Sequence, residues 1–244
     1  MNQPTQPAEK AAESAIPIAT PAPNETRWEK IAQNLRTIGG AVLLALVIRT
    51  CLFEAFEIEG PSMEPTLLNG DRVVVAKFMY GLFLPFREQA DLNWGGPSLG
   101  DVVILKSPAD GVDIVKRVIG VAGDFIEIHD DVVYRNNKPL PRKDLGLCKT
   151  GIGAANPRCR WYESQVGDKT FTISSARTMF DPLPTYVPPS HIYVLGDHRD
   201  SSNDSRNPAM GVIPVTRVKG KALTIYWSSG EEGFRWHRML RGVR

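Results

Sequence analysis

The sequence predicts a mainly β protein: a multi-sheet all-β domain preceded by one N-terminal transmembrane helix. Short β-type runs separated by turn residues fill the chain after residue 56, and the 244 residues include 19 prolines and 21 glycines. One long apolar stretch lies before them. Apolar residues make up 42% of the chain and charged residues 23%, which is a globular composition. The net charge of +2, without a block of like charge, argues against a nucleic-acid-binding protein.

The N-terminal region divides into two predicted segments. Residues 1–26 are rich in Pro, Ala, Gln and Glu, and we expect a disordered tail. Residues 27–56 are predicted to approach and cross a membrane, since residues 37–56 would span about 30 Å as a helix. The uninterrupted apolar run, 38–48, also fits a signal-peptide core or a buried helix. No small-x-small cleavage site follows it, which favours a retained span.

The charges around this apolar stretch predict its orientation. Arg27, Lys30 and Arg36 precede it, whereas the twenty residues after it contain several glutamates and one arginine. The positive-inside rule therefore places the N-terminus in the cytoplasm and the β-rich domain, residues 57–244, outside. In that oxidising compartment Cys148 and Cys159 can form a disulfide.

The β-type runs after residue 56 are predicted strands. Asn136 and Asn137, after a pair of such runs, predict a hairpin turn. Residues 138–165 and 176–190 are rich in Pro and Gly and are predicted to be irregular excursions. The predicted strands are DRVVVAKF, GDVVILKS, VDIVKRVIGVAGD, FIEIHDDVVYRNN, KTFTIS, HIYVLGD and KGKALTIYWS.

The stretch EGPSMEPTLLNGD, residues 59–71, holds Ser62 between Pro61 and Pro65. Prolines keep this serine out of a helix, so it is either part of a rigid surface turn or a presented nucleophile. A serine nucleophile needs a base. His198 is one candidate, although no Gly-x-Ser-x-Gly elbow surrounds Ser62.

A lysine with a lowered pKa is the other candidate base. Lys77 and Lys116 both lie in strand-like runs among valines and isoleucines. Either could be desolvated by its neighbours or could hold its ammonium in water at a strand edge. The pattern alone does not separate these two lysines.

Four segments carry a family resemblance. FEIEGPSMEPTLLNGDRVVVAKF, GDVVILKSP, VDIVKRVIGVAGD and VLGDHRDSSNDSR follow the apolar stretch in that order. They resemble the successive sequence boxes of bacterial type I signal peptidase (leader peptidase), over residues 40–230. The resemblance implies a serine endopeptidase of the inner (plasma) membrane with a periplasmic catalytic domain, without metal or cofactor. Its implied partners are membrane lipid and the signal peptides of exported preproteins, cleaved after Ala-x-Ala-like sites, and not nucleic acid.

The resemblance also implies residue roles. Ser62 corresponds to the nucleophile and Lys116 to the general base, which leaves Lys77 as a bystander. Ser202 corresponds to a serine that hydrogen-bonds the lysine, and Asp197 and Arg199 to scaffold residues. A supporting ion pair is implied for Asp204 and Arg206, with Arg117 nearby. Shallow apolar pockets for the substrate are implied at Phe56, Ile58, Met63, Leu67 and Val115.

The chain departs from the family pattern at two positions. His198 stands where asparagine is common. Gly60 stands where many members have a serine or threonine that helps to stabilise the oxyanion, so the oxyanion would rest on backbone N–H groups, chiefly that of Ser62. We expect the apolar stretch 78–86 to contact the membrane. The rival interpretations are a Ser–His hydrolase that uses His198 and a tethered β-domain that only binds peptides.

Overall fold

A computed structural model describes residues 27–48, 52–82, 92–93, 95–177, 181–230 and 233–244. The predicted disordered tail, residues 1–26, lies outside the described residues. So does most of the apolar stretch predicted to touch the membrane, from residue 83 onward. Its described part is mixed: Tyr80 is buried and donates a hydrogen bond to Asp101, while Met79 is exposed.

The elements follow one another in the order helix, then strands. The helix α1 is Arg27–Val47, and short 3-10 turns connect some of the strands. The strands are β1 Phe53–Glu57, β2 Asp71–Ala76, β3 Gly81–Leu82, β4 Leu92–Asn93, β5 Val102–Lys106, β6 Asp113–Val121, β7 Phe125–His129, β8 Val132–Arg135, β9 Lys138–Pro139, β10 Arg142–Leu147, β11 Arg160–Val166, β12 Lys169–Ser175, β13 Thr185–Tyr186, β14 His191–Leu195, β15 Ile213–Pro214, β16 Val218–Gly230 and β17 Gly233–Phe234.

The helix α1 ends earlier in the chain than the predicted span, at Val47. It contains many alanines, leucines and other good helix formers and no proline, and several of its apolar side chains, such as Leu35 and Leu43, are exposed. The prediction that the helix continues to Phe56 is wrong, because Phe53–Glu57 is the strand β1. Antiparallel pairing with β2, with Phe53 opposite Ala76, satisfies the backbone groups of this segment instead. Within the described ranges, no helix has an apolar stretch long enough to cross a bilayer.

The main sheet of the described chain has eight strands in the order β1-β2-β16-β5-β6-β14-β15, with β17 paired to β16. All of its pairings are antiparallel. The strand β6 lies in the interior of this sheet, between β5 and β14. Smaller sheets are formed by β10-β11-β12, by β13-β7-β8-β9 and by β3-β4. The prediction of a mainly β, multi-sheet domain is confirmed.

The predicted strands agree with the structure, except that Lys77 lies outside the strand predicted to contain it and begins a 3-10 turn after β2. Both predicted excursions contain strands, and the excursion 176–190 contains β13. The supposed excursion 138–165 contains β9, β10 and much of β11, whose polar, half-exposed pattern hides the strands. The hairpin at Asn136 and Asn137 is confirmed, since both residues have positive φ, 52° and 64°, between β8 and β9.

One buried apolar cluster lies beneath the loop that connects β1 to β2. It combines residues of the loop with residues of β2, β5, β6 and β16. Phe56 and Val243 pack against its edge. Its buried members are Ile58, Met63, Leu67, Val73, Val75, Val102, Ile104, Val115, Ala222 and Ile225.

Candidate active site

Ser62 lies in the loop between β1 and β2. Hydrogen bonds within this loop hold it closed. Gly70 N–H donates to Ile58 O at 2.9 Å and pins the two ends of the loop together. Glu64 N–H donates to Pro61 O at 3.0 Å, which forms a tight turn around the serine. The two prolines therefore act with these hydrogen bonds to fix the backbone on both sides of the Ser62 hydroxyl.

Lys116 projects from β6 towards that hydroxyl. Its Nζ donates hydrogen bonds to Ser62 Oγ at 2.8 Å and to Val115 O at 3.0 Å. The residue is only 3% exposed. A loop and an interior strand, 54 positions apart in sequence, thus bring the two side chains into direct contact.

The surroundings of Lys116 favour its uncharged form. Burial lowers the pKa of Lys116 from 10.5 to about 8, although the carboxylates of Asp204 and Asp197 favour the ammonium. Around pH 8 a large fraction of this amine is neutral. A neutral amine has a lone pair, so it can accept the proton of the serine hydroxyl with which it is in contact.

Arg117, the next residue on β6, is ion-paired with Asp197. Its Nε and Nη2 donate to the two carboxylate oxygens of Asp197 at 2.8 and 2.6 Å, and Nη1 donates to Gly100 O at 3.0 Å. Thr66, in the serine loop, also donates to Asp197 through its hydroxyl. Asp197 therefore connects the loop that holds Ser62 to the strand β6 that holds Lys116. The sequence resemblance assigns it only to the scaffold.

A second buried ion pair joins Asp204 and Arg206. Arg206 Nε and Nη2 each lie 2.8 Å from a different carboxylate oxygen of Asp204. Burial alone would raise the pKa of Asp204, but hydrogen bonds from Arg206 and from Gly196 N–H outweigh it and lower that pKa. The implied ion pair is present, and its carboxylate is ionised beside the Lys116 amine.

Ser202 packs on the backbone beneath the nucleophile. A Cβ placed on Gly196 would lie 2.2 Å from Ser202 Oγ and 2.5 Å from Ser62 O, so glycine is needed there for this close approach. Ser202 Oγ is buried and receives no hydrogen bond from any described residue, Lys116 included. The structure thus places Ser202 at the site without the hydrogen bond that the resemblance implies.

His198 touches the serine loop through its backbone. Its N–H donates to Ser62 O at 3.1 Å, and the residue is buried. Burial lowers the pKa of the His198 imidazole, against opposing effects of Asp200 and the Pro61 carbonyl. Among the described residues, the side chain in hydrogen-bond contact with Ser62 Oγ is that of Lys116, and His198 Nδ1 has no partner.

Gly60 adopts a backbone conformation that favours glycine, with φ of +82°. Its N–H donates to Asn69 Oδ1 at 3.1 Å, and a Cβ at this position would meet nothing within 4 Å. The N–H of Ser62 has no acceptor among the described residues. That group is therefore available to an anionic oxygen beside the serine.

The predicted pocket residues lie together, but most of them are buried. Ile58, Met63, Leu67 and Val115 are at most 6% exposed and belong to the apolar cluster beneath the loop, with Phe56 half-buried at its edge. Ile58, Met63 and Leu67 are residues of the loop that holds Ser62, and with Val115 and Phe56 they form an apolar wall beneath it. Their role towards a substrate stays a prediction.

Three further predicted residues are found in simple structural contacts. Lys77 forms an ion pair with Glu54 at 2.8 Å. Cys148 and Cys159 are joined in a disulfide. Sequence reasoning missed Glu64 and Thr66; the one available signal was a polar side chain on each side of Pro65.

Comparison with known proteins decides the family. The sequence matches the family described as signal peptidase, peptidase S26, over residues 31–227. The chain belongs to this family. It is therefore a peptidase.

Two relatives agree with this assignment, one from Pseudomonas fluorescens and one from Rickettsia typhi. Signal peptidase I of Pseudomonas fluorescens is 32% identical over 200 residues, which cover 77% of this chain and 69% of the relative. Signal peptidase I of Rickettsia typhi is 33% identical over 215 residues, or 82% and 81% of the two chains. A crystal structure of a signal peptidase I from Enterococcus faecalis V583 matches with a TM-score of 0.32 and 26% identity, over 51% of this chain and 95% of that one.

Proposed function

We propose that this peptidase is a membrane-bound serine endopeptidase that removes N-terminal signal peptides from exported preproteins by means of a Ser62–Lys116 dyad. The observation that carries the proposal is the 2.8 Å contact between Lys116 Nζ and Ser62 Oγ in a desolvated site. The names of the relatives support the substrate class.

The proposed chemistry needs only groups that the chain supplies, together with water. Neutral Lys116 accepts the Ser62 proton as the serine oxygen attacks the scissile carbonyl. The Ser62 N–H stabilises the resulting oxyanion. The Lys116 ammonium then gives its proton to the leaving amine, which leaves an ester on Ser62. Lys116 next accepts a proton from water as the water oxygen attacks the ester. It then returns that proton to Ser62 Oγ as the acyl–oxygen bond breaks, which releases the carboxylic acid product and regenerates the serine.

The proposed supporting residues act on Lys116 or on the loop that carries Ser62. Asp204 and Arg206, held as a buried pair, keep a fixed charge pattern beside the amine. Ser202 limits the space around Ser62, and Arg117 holds β6 through Asp197. Gly60 lets the loop turn with positive φ, and it leaves the oxyanion to backbone N–H groups.

We propose that the apolar wall at Phe56, Ile58, Met63, Leu67 and Val115 recognises the small side chains of an Ala-x-Ala-like site. An extended substrate would pair beside residues 58–62 and 113–115. Tightly packed apolar side chains leave room for a methyl group, although one methylene changes binding by only about 1–3 kcal/mol.

The proposed location is the inner (plasma) membrane, with the N-terminus in the cytoplasm and the β domain in the periplasm. The exposed apolar side chains of α1 support a lipid tether. A cluster of Trp227, Phe234 and Trp236, with ring centroids 4.1 and 4.6 Å apart, supports a second lipid contact, since Trp236 is 73% exposed. The Cys148–Cys159 disulfide is typical of an oxidising compartment.

The test is cleavage of a preprotein with an Ala-x-Ala site by the full chain in detergent. Ser62→Ala and Lys116→Ala should each abolish cleavage while circular dichroism stays unchanged. His198→Ala should cleave at a rate similar to the wild type. Loss of cleavage in His198→Ala alone would support the Ser–His hydrolase, and intact cleavage in both dyad variants would refute the dyad.

A further inference from the structure

Glu64 is a buried acid close to the nucleophile, and the dyad chemistry does not use it. It lies two residues after Ser62 and is 7% exposed. Its carboxylate Oε2 accepts a hydrogen bond from Ile152 N–H at 2.9 Å. Its backbone is held as well, because Glu64 O accepts from Ser174 Oγ at 3.2 Å. The turn that carries Ser62 is therefore fastened through Glu64 to chain segments far away in sequence.

Ile152 belongs to a loop that the disulfide closes, from Cys148 to Cys159. Cys148 N–H donates to Cys159 O at 2.9 Å, and Gly153 packs so closely on the sulfurs that a Cβ there would lie 2.7 Å from Cys159 Sγ. Gly151 approaches Glu64 in the same way: its Cβ would lie 2.0 Å from Glu64 Oε2. The disulfide thus fixes the shape of the segment that meets the carboxylate.

The Glu64 carboxylate depends on this contact. Burial raises the pKa of Glu64, while the Ile152 N–H and the positive charges of Arg235 and Arg238 act in the opposite direction. Without the Ile152 N–H, a buried carboxylate would lose its hydrogen-bond donor, which is costly in a desolvated site. The carboxylate would then move towards water and take the turn with it.

We propose that Glu64 is a positioning residue for Ser62, and that the disulfide-closed loop Cys148–Cys159 holds Glu64 in place through the N–H of Ile152. The proposal rests on the proposed function of Ser62. Only two peptide units separate Glu64 from the serine, so a shift of its backbone changes the contact between Ser62 Oγ and Lys116 Nζ. Misplacement of a reacting group by about 1 Å can lower a rate by about 100-fold.

The first experiment compares variants of Glu64 and of Gly151 in the preprotein cleavage assay. Glu64→Ala should lower kcat by about 10- to 100-fold with a smaller change in KM, because it displaces the nucleophile while Phe56 and Val115, on the strands β1 and β6, keep their places. Glu64→Gln keeps an oxygen acceptor of the same size and should retain most of kcat. Unchanged kcat in Glu64→Ala would overturn the proposal.

Gly151→Ala disturbs the same contact without altering Glu64, since its Cβ would collide with the carboxylate. It should lower kcat as Glu64→Ala does. Gly146→Ala is the matched control: Gly146 also has a positive φ, of 98°, but a Cβ there meets nothing within 4 Å. An equal loss of kcat in both glycine variants would show only backbone strain and would overturn the proposal.

The second experiment is a double-mutant cycle with the disulfide. Dithiothreitol, which donates two electrons and two protons, converts the disulfide to two thiols and becomes a cyclic disulfide itself. The double variant Cys148→Ser, Cys159→Ser removes the disulfide permanently. Loss of the disulfide should lower kcat in the wild type but add little in Glu64→Ala. Effects that multiply would mean that the disulfide acts independently of Glu64, and the proposal would fail.

A measurement without substrate separates this inference from the proposed function. The pKa of Lys116, followed by NMR of its ε-carbon, should rise from about 8 in Glu64→Ala and in the reduced protein, because displacement of the serine loop admits water. Gly146→Ala should leave it unchanged. If the wild type fails to cleave preproteins while this shift occurs, the proposed function is wrong and the positioning role stands. If the pKa of Lys116 does not move, the positioning role is wrong.

Discussion

Lys116 and Arg117 are adjacent on β6 and equally hidden from solvent, yet their surroundings differ completely. Lys116 is 3% exposed and Arg117 is 0% exposed. Because side chains alternate along a strand, they point to opposite faces of the sheet. On one face Lys116 meets a serine hydroxyl and a backbone carbonyl. On the other face Arg117 meets a carboxylate, through two hydrogen bonds, and the ring of Phe171 at 4.1 Å.

The two residues are buried to a similar extent and differ in the groups that surround them. The carboxylate that would neutralise a buried cation lies in contact with Arg117, whereas the carboxylates near Lys116 are not hydrogen-bonded to it. One strand therefore holds a structural cation beside an amine suited to proton transfer. This comparison leads to four predictions, ordered by the size of the expected effect.

The largest effect is expected for Lys116→Arg, which makes the two neighbours chemically alike. A guanidinium stays protonated in proteins, so it cannot accept the Ser62 proton. Cleavage should fall by about 1,000-fold at every pH up to 10. The control is Lys77→Arg, at a lysine that is ion-paired with Glu54, and its cleavage rate should stay close to that of the wild type. Substantial cleavage by Lys116→Arg would refute the role of the lysine as a base.

Arg117→Met should destabilise the fold strongly, because it leaves Asp197 buried without its cation. The free energy of unfolding, from urea titration, should fall by about 3–5 kcal/mol. Arg160→Met is the control, since Arg160 forms an exposed ion pair with Asp144 and its loss should have little effect. A loss of similar size in the two variants would contradict the structural role of the Arg117–Asp197 pair.

Lys116→Met should raise the free energy of unfolding, whereas Arg117→Met lowers it. The folded pKa of about 8 lies below the unfolded value of 10.5, so the unfolded state binds more protons and the wild type becomes more stable as pH rises between these values. Below pH 8 the variant should be the more stable protein by about 3 kcal/mol. Urea titrations should show this gap closing between pH 8 and 10.5, and a gap that does not depend on pH would contradict the assignment.

The smallest effect is expected for Asp204→Asn on the pH dependence of cleavage. The wild-type kcat should rise with pH, with a midpoint near the Lys116 pKa of about 8. Removing the Asp204 carboxylate disfavours the ammonium, so the midpoint should move to lower pH. Asp144→Asn, in an exposed ion pair, should leave the midpoint in place. A midpoint that moves upward in Asp204→Asn would contradict this electrostatic account.

Much of the β domain could be predicted because most of its strands are marked by local sequence patterns. Runs such as VDIVKRVIGVAGD are rich in valine and isoleucine and end in turn residues, and β6 falls within this one. The strand β10 was missed because its side chains are mostly charged and exposed. The predicted helix reaches too far because the apolar side chains of Phe53 and Phe56 fit a helix as well as a strand. Their pairing with β2 depends on residues about twenty positions away, which the local pattern does not contain.

The site was harder to predict from pattern alone. Lys77 and Lys116 have similar neighbours in sequence, and only the resemblance to a family separated them. The two lysines differ in their tertiary contacts: Lys77 is ion-paired with Glu54, and Lys116 contacts Ser62. The partnership of Arg117 with Asp197 and the contact of Glu64 with Ile152 join segments 80 and 88 positions apart, so no local signal could reveal them.

The two residues of the dyad also lie in elements of different stability. Lys116 belongs to β6, an interior strand of the main sheet that is hydrogen-bonded to a strand on each side, whereas Ser62 belongs to a connecting loop. Loops open at lower free energy than sheet interiors. On heating, catalysis should therefore vanish several degrees before the sheet melts, and an inactive, still folded enzyme should recover at once on cooling.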